Sequence, residues 1–335
     1  VKAMTVKQSV LRALGEARGA SVSGEVLAQS LGVSRAAVWK AIKSLQGEGY
    51  RISAGTNRGY RLEEYPDLLT AEGISAMLPL ELAQLDLRVF DEIDSTNLEA
   101  KRLAMTGLSR CAVIADRQTA GRGRLGRSFY SPPGCGIYTS LLLRPRPDQL
   151  ADVTLLTTAA GVAVCRALEK AAGVQAEIKW VNDLYLNGKK ICGILTEGVT
   201  DFESGMIESI VIGYGVNFRD DAHLPEELRP IVGSVFGAEP PTVTRSALAA
   251  AMLAELLPLA EDLSSRSFLP EYRRRSMLLG REIVFSRAGG RFAAVAEGID
   301  DNGGLVVRLP DGSRETLRSG EVSVRTAESA GTLPE

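Results

Sequence analysis

The residues best placed to do chemistry lie in AEIKWVNDLYLNGKKICGILTEG, residues 176–198. Asn187-Gly188 between two apolar runs is the signature of a two-residue type I′ turn, so this segment reads as a β-hairpin. The turn sets a register in which Leu186 faces Lys189, Tyr185 faces Lys190, Leu184 faces Ile191 and Asp183 faces Cys192. Alternation then places Trp180, Leu184, Leu186, Ile191 and Leu195 on a core face. Lys179, Asp183, Tyr185 and Lys190 share the other face, with Val181, Cys192 and Ile194 among them. Lys190 lies diagonal to Asp183, within interaction range. Two lysines and an aspartate on a rigid face can hold an anion and stabilise charge building on it. Without a ligand, the same face would simply be an exposed ion-pair surface. Gly213 and Gly215 in IVIGYGVNF, residues 210–218, bare one side of a further strand to a ligand.

A second cationic group sits in QTAGRGRLGRSFYSPPG, residues 118–134. Gly121, Gly123 and Gly126 have the spacing of a dinucleotide-binding turn, and CAVIAD before them reads as the required strand. That turn needs a helix directly after it, whose N-terminal N–H groups receive a pyrophosphate. Pro132, Pro133 and Gly134 break helices instead, so the segment reads as a mobile loop carrying Arg122, Arg124 and Arg127. Three permanently charged guanidiniums suit a loop that closes on an anion. The only histidine, His223, lies in a polar loop, which argues against a histidine triad or a protein-held metal cluster.

These segments need a scaffold, and 335 residues predict two or three domains. With 45% hydrophobic and 24% charged residues the chain reads as a globular protein. It has neither a signal-peptide layout nor a continuous apolar span, so a cytoplasmic, membrane-independent protein is expected. Cys111, Cys135, Cys165 and Cys192 are scattered and read as reduced, structural thiols. LRVFDEI, CAVIAD, IYTSLLL and SIVIGYGVNF alternate with apolar helices near 148–172 and 243–263, predicting a mixed sheet covered by helices. From Gly280, EIVFS, RFAAVAEGI, GLVVRL and EVSVR are short strands split by RAGG, DDNGG and PDGS turns, a small barrel.

The net charge of −2 hides an asymmetry: residues 1–62 hold ten bases against three acids. One end is therefore built to meet an anion. Val6, Val10, Leu14 and Ala17 recur at helical spacing; a second helix after Ser23 buries Val26, Leu27 and Leu31 and stops at Gly32; Ser34 caps a third. Arg35, Lys40 and Lys43 lie off the third helix's apolar stripe, where a recognition helix meets DNA. YRISAGTNRGYRL then reads as two short strands with Arg58 at the tip, completing a winged helix-turn-helix. A dimer reading two half-sites is the natural form of such a unit. EEYPDLL, with Pro66, is the linker.

IDSTN (93–97), QTAGRGRLGR (118–127), KWVNDLYLNGKKICGIL (179–195) and IVIGYGVNF (210–218), in this order behind a helix-turn-helix, resemble the bifunctional biotin-protein ligases that also repress biotin synthesis. The resemblance spans nearly the whole chain. It implies a winged helix-turn-helix at 1–64, a mixed-sheet α+β, class II synthetase-like ligase domain at 65–275 and an SH3-like β-barrel at 276–327. It implies that biotin and MgATP give biotinyl-adenylate, whose biotinyl group passes to a lysine of the biotin carboxyl carrier protein of acetyl-CoA carboxylase. Operator DNA, and homodimerisation when adenylate is bound, follow from the same resemblance. Carried over by position, Ser95, Thr96 and Gln118 hold the biotin ureido ring, Gly121 and Arg122 close over it, and Gly193, Gly213 and Gly215 line its slot. Lys190 binds between the biotin carboxylate and the α-phosphate, and Asn182 and Asp183 match the pair beside it. Arg124 and Arg127 contact the phosphates; Asn217 lies on the nucleotide side.

Three positions depart from the family pattern. Phe129 stands where the family usually has a Trp that helps stack the adenine, Val181 where it has Pro, and Leu125 where it can have another Arg. Phe still stacks on a base and Val suits a strand, so altered affinity is expected rather than lost activity. Adenylation moves negative charge onto the α-phosphate and the leaving pyrophosphate, which fixed cations stabilise without a general base. The rival readings are a biotin-sensing DNA-binding regulator with little turnover, a lipoate or octanoate ligase, and an NAD-linked enzyme that the missing helix disfavours.

Overall fold

Side-chain caps start the first three helices. Thr5 and Gln8 form a reciprocal capping box on α1 (Val6–Glu16), Ser23 caps α2 (Gly24–Leu31) and Ser34 caps α3 (Arg35–Gly47). The computed structural model describes residues 4–55, 58–145, 153–200, 205–287 and 290–324. Val10, Leu14, Leu27, Val38, Ile42 and Leu45 form the core of this unit, closed by the antiparallel wing β1 (Arg51–Gly55) and β2 (Gly59–Glu64). Thr56 and Asn57, expected in the wing's tip, lie outside the described residues. Val26 was expected in the core and is 54% exposed. It lies about 100° around the helix from Leu27, off the stripe that Leu27, Ala28 and Leu31 turn inward.

The winged unit docks on α4 (Ala71–Met77) through Arg12, which donates to the carbonyls of Ser75 and Leu78, and Lys7, which pairs with Glu72 at 2.8 Å. The larger sheet follows, interleaved with helices: β3 (Leu87–Ile93), α5 (Thr96–Met105), β4 (Arg110–Gln118), β5 (Gly136–Leu143), α6 (Val153–Ala172), β6 (Glu177–Lys179), β7 (Asp183–Leu186), β8 (Lys189–Thr200) and β9 (Ile207–Asn217). Strand order is β3-β4-β5-β9-β8-β7-β6, with β3 and β4 parallel and every other pair antiparallel, which is the expected mixed sheet. One face packs on α6 and on α7 (Arg245–Glu261), through residues such as Ile114, Ile194, Ile212, Ala163 and Leu253. Ala100 and Ala104 of α5 cover part of the other face, over Val113 and Val211.

After α8 (Leu269–Arg275) come β10 (Glu282–Arg287), β11 (Gly290–Ile299), β12 (Leu305–Arg308), β13 (Arg314–Leu317) and β14 (Val322–Val324), a small antiparallel sheet in the order β13-β12-β11-β10-β14. This is the SH3-like unit, and its inner residues Ile283, Ala296 and Leu305 merge with the core of the central sheet. Strand β13 was not expected, because RETL buries only Leu317 and carries no apolar alternation. All four cysteines are free; burial pushes the Cys111 thiol up to about 12.

The hairpin register departs from expectation at one point. Leu186 does face Lys189 and Tyr185 faces Lys190, but a bulge at Ile191 puts Leu184 opposite Cys192 and Asp183 opposite Gly193. Beyond the bulge the faces exchange: Cys192 and Ile194 enter the core, and Gly193 and Leu195 turn to the opposite side. A simple alternating reading misses this because nothing in KKICGIL marks the extra residue.

Arg245, at the start of α7, joins the linker to the sheet. Its backbone N–H and guanidinium bond Asp67, and its guanidinium also reaches Asp116 at the end of β4. Arg245→Ala leaves both carboxylates uncompensated and lowers stability by about 3 kcal/mol, read from the urea midpoint.

Candidate active site

The Asn187-Gly188 turn has both residues in the left-handed region, φ 50° and 75°, as a type I′ turn requires. Lys190, three residues from Asn187, is pinned by backbone bonds to a neighbouring segment: its N–H donates to Ile231 and its carbonyl accepts from Gly233. Its ammonium then lies 2.7 Å from the Asp183 carboxylate. Lys179 is the β6 partner of Asp183, so the carboxylate sits between two lysines. Burial pulls the Lys179 ammonium below its ordinary range; Asp183 opposes this and Lys190 adds to it.

No helix follows the glycine loop. Arg124–Gly126 make a single turn, with Leu125 at φ 55° and Gly126 at φ 75°, closed by Gly123 N–H on the Arg127 carbonyl at 2.7 Å. Arg124 donates to the Asn182 side-chain oxygen at 2.9 Å, and the Asn182 amide donates to the Ile194 carbonyl. Arg127 instead reaches the C-terminal unit, 2.5 Å from Glu321. A side chain at Gly121 would meet the Phe129 carbonyl at 2.4 Å, so this glycine lets the loop cross itself.

Beneath the loop lies a polar floor. Ser95 and Thr96 are buried at the start of α5, and the Thr96 N–H and hydroxyl both donate to the Gln118 side-chain oxygen. Gln118 donates onward to Ser131, and Ser140 donates to Asn97 at 2.6 Å. Asn97 in turn donates to Glu197 at 2.8 Å. Burial pushes the Glu197 carboxyl up, but bonds from Asn97 and Lys101 outweigh it and hold it below its ordinary range. Asn97, Ser131 and Ser140 were not singled out from the sequence; Asn97 stood in IDSTN, but its partners are set only by the fold.

Lys190 lines three cavities. A small polar one, about 50 Å³, is lined by Ser95, Thr96, Gln118, Arg122, Gly193 and Gly213, with Gly215 and Lys190. A larger apolar one, about 220 Å³, is lined by Tyr138, Asn217, Leu224, Leu228, Ile231 and Val232 and also by Lys190. Phe129 lines both and divides them. Its ring lies over Gly193 and Gly215, which are register partners: a Cβ on either would meet it at 3.1 or 2.5 Å. Tyr130 bonds Asp221 at 2.7 Å beside the larger cavity, and this bond pushes its phenol up to about 12. The apolar wall at 224–232 went unnoticed because LPEELRPIV alternates irregularly in a polar loop. Asn217 donates to the Gly233 carbonyl, tying that wall to β9. Arg35, Lys40, Lys43 and Arg58 are exposed on the winged unit, apart from these cavities.

The chain is 34% identical to the "Bifunctional ligase/repressor BirA" of Bacillus subtilis, over 93% of this chain and 96% of that protein. It belongs to the bifunctional biotin ligase/repressor family. The Escherichia coli protein of the same name is 32% identical over 93% of this chain and 95% of its own length. Residues 89–217 match the biotin/lipoate A/B protein ligase family, 6–61 an HTH domain and 278–325 the biotin protein ligase C-terminal domain. A biotin protein ligase from Aquifex aeolicus, solved in complex with biotin and ATP, covers 72% of this chain and 99% of its own, at TM-score 0.60 and 28% identity.

Gly213 is the tightest point of this family site, since a Cβ there would lie 1.9 Å from the Asn97 oxygen. Gly213→Ala breaks the Ser140–Asn97 contact and costs about 1–3 kcal/mol in urea unfolding.

Proposed function

We infer that this chain couples biotin to a carrier protein in two steps and carries the biotin signal to DNA. The observation that carries this reading is that Lys190 lines both cavities, where the carboxylate of one ligand would meet the phosphate of another. The chain is a biotin-protein ligase. The polar cavity takes biotin: Ser95, Thr96, Gln118 and Arg122 offer donors and acceptors to the ureido ring, and Gly193, Gly213 and Gly215 leave a slot for the bicycle. The apolar cavity takes the adenine of MgATP, with Asn217 at its edge and Phe129 stacking on the base.

In the first step a biotin carboxylate oxygen attacks the α-phosphorus, the bond to the β-phosphate oxygen breaks, and pyrophosphate leaves. Lys190 and Arg124 stabilise the charge this moves; Asp183 orients Lys190, and Asn182 orients Arg124. Arg127 gives up Glu321 for the phosphates, while Gly121 and Arg122 close over biotin and exclude water from the anhydride. In the second step the amine of a lysine on the biotin carboxyl carrier protein of acetyl-CoA carboxylase attacks the biotinyl carbonyl, and AMP leaves. Magnesium enters with the nucleotide, held mainly by its phosphates.

The three units correspond to residues 1–64, 65–275 and 276–327, the last residues of which lie outside the described ones. The winged unit binds operator DNA through Arg35, Lys40, Lys43 and Arg58. Biotinyl-adenylate favours a homodimer that binds two half-sites, which requires that it bind the dimer-competent state more tightly. The protein acts in the cytoplasm; among the described residues no helix is long and apolar enough to cross a membrane.

Biotin-dependent ATP–pyrophosphate exchange tests the enzymatic half. Exchange with biotin and not with lipoate is expected, reduced about 10²–10³-fold by Lys190→Ala. Biotin binding without exchange would make the chain a sensor instead.

A further inference from the structure

The recognition helix presents one group that charge does not explain. Along α3, Val38, Ala41, Ile42 and Leu45 face the core, while Arg35, Ala36, Trp39, Lys40 and Lys43 are all exposed. Arg35, Trp39 and Lys43 are spaced four apart and so form one line along the helix. Trp39 stands in the middle of it, 52% exposed, whereas Trp180, the other tryptophan, is 3% exposed and donates to the Gly303 carbonyl. Among the described residues the Trp39 ring has no aromatic or cationic stacking partner and its N–H no acceptor. A large indole left in water is unfavourable unless a partner covers it. The surrounding cations, in a segment with ten bases against three acids, select a polyanion as that partner.

We propose that Trp39, with Ala36 beside it, reads thymine methyl groups in the major groove of operator DNA. The inference rests on the operator-binding reading above. The phosphate contacts of Arg35, Lys40 and Lys43 supply attraction and carry no sequence information directly. An apolar surface between them has one complementary feature in the groove, the C5-methyl of thymine, which the other bases lack. Trp39 is then a specificity-determining residue, and its removal costs sequence preference and not general affinity.

The test uses the full chain with biotin and MgATP, and a randomised duplex pool from which it selects its preferred sites. Trp39→Ala is expected to weaken the selected duplex about tenfold. Binding to a scrambled duplex changes less than about twofold and the salt slope is unchanged, since no charge is lost. Replacing the contacted thymines with deoxyuridine weakens the wild type and leaves Trp39→Ala unaffected. Adding the selected duplex quenches tryptophan emission in the wild type and not in Trp39→Phe, where only buried Trp180 remains. Equal affinity of Trp39→Ala and wild type, or the same deoxyuridine penalty in both, would overturn the proposal while leaving operator binding intact. No enrichment from the pool by any variant would overturn operator binding and the proposal with it.

Discussion

The Lys190–Asp183 ion pair is the contact on which the site depends. Its ammonium belongs to a residue that lines both the small cavity over the polar floor and the larger apolar one. A partly buried pair of this kind gains little net stability, because desolvating two charges offsets most of their attraction. Its value is positional. The aspartate holds the ammonium in one place, and a cation fixed in advance needs no reorganisation to stabilise charge. Position in turn comes from the backbone: a two-residue turn fixes where β8 begins, and Ile231–Gly233 clamp Lys190 on both its N–H and its carbonyl.

Two of the three loop arginines rest on protein groups. Arg124 rests on the neutral Asn182 oxygen and Arg127 on Glu321 of the C-terminal unit. Both contacts are weak ones: one partner is uncharged, and the other ion pair is largely exposed to solvent. Phe129 behaves similarly. Its ring covers the bare glycine floor of Gly193 and Gly215, a contact that rests on apolar packing alone. The loop is thus ordered by contacts that are easy to surrender.

Much of this was legible in the sequence because it is local. Serine caps, the Asn-Gly turn, helical stripes and the proline-broken glycine loop each declare themselves within a few residues, and the structure has them in place. The bulge at Ile191 was not legible: one unpaired residue changes no pattern in KKICGIL, yet it exchanges the faces of Cys192, Gly193, Ile194 and Leu195. Non-local pairings were equally hidden. Nothing near Arg127 points to Glu321, nor does Ser140 announce Asn97, because these contacts exist only once the sheet has formed. The apolar wall at Leu224–Val232 belongs to the same class, an irregular loop given meaning by β8 and β9.

The remaining constraint is how a DNA-binding unit and a ligase site share one chain. Tyr50, at the end of the helix-turn-helix, bonds Thr70, whose N–H meets Ser246 on α7. The next residue towards the N-terminus, Arg245, holds Asp67 of the linker and Asp116 of β4, and Asp116 also accepts from Gly134, just beyond the arginine loop. The linker is therefore built into the frame that supports the loop's exit, and does not swing as a tether. Proximity alone is not coupling; that needs an element with two arrangements, both sites favouring one. Here the Arg245 cluster supplies a rigid connection between the linker and the loop's exit, so any shift at that exit bears on the linker's anchor points through Asp116 and Arg245.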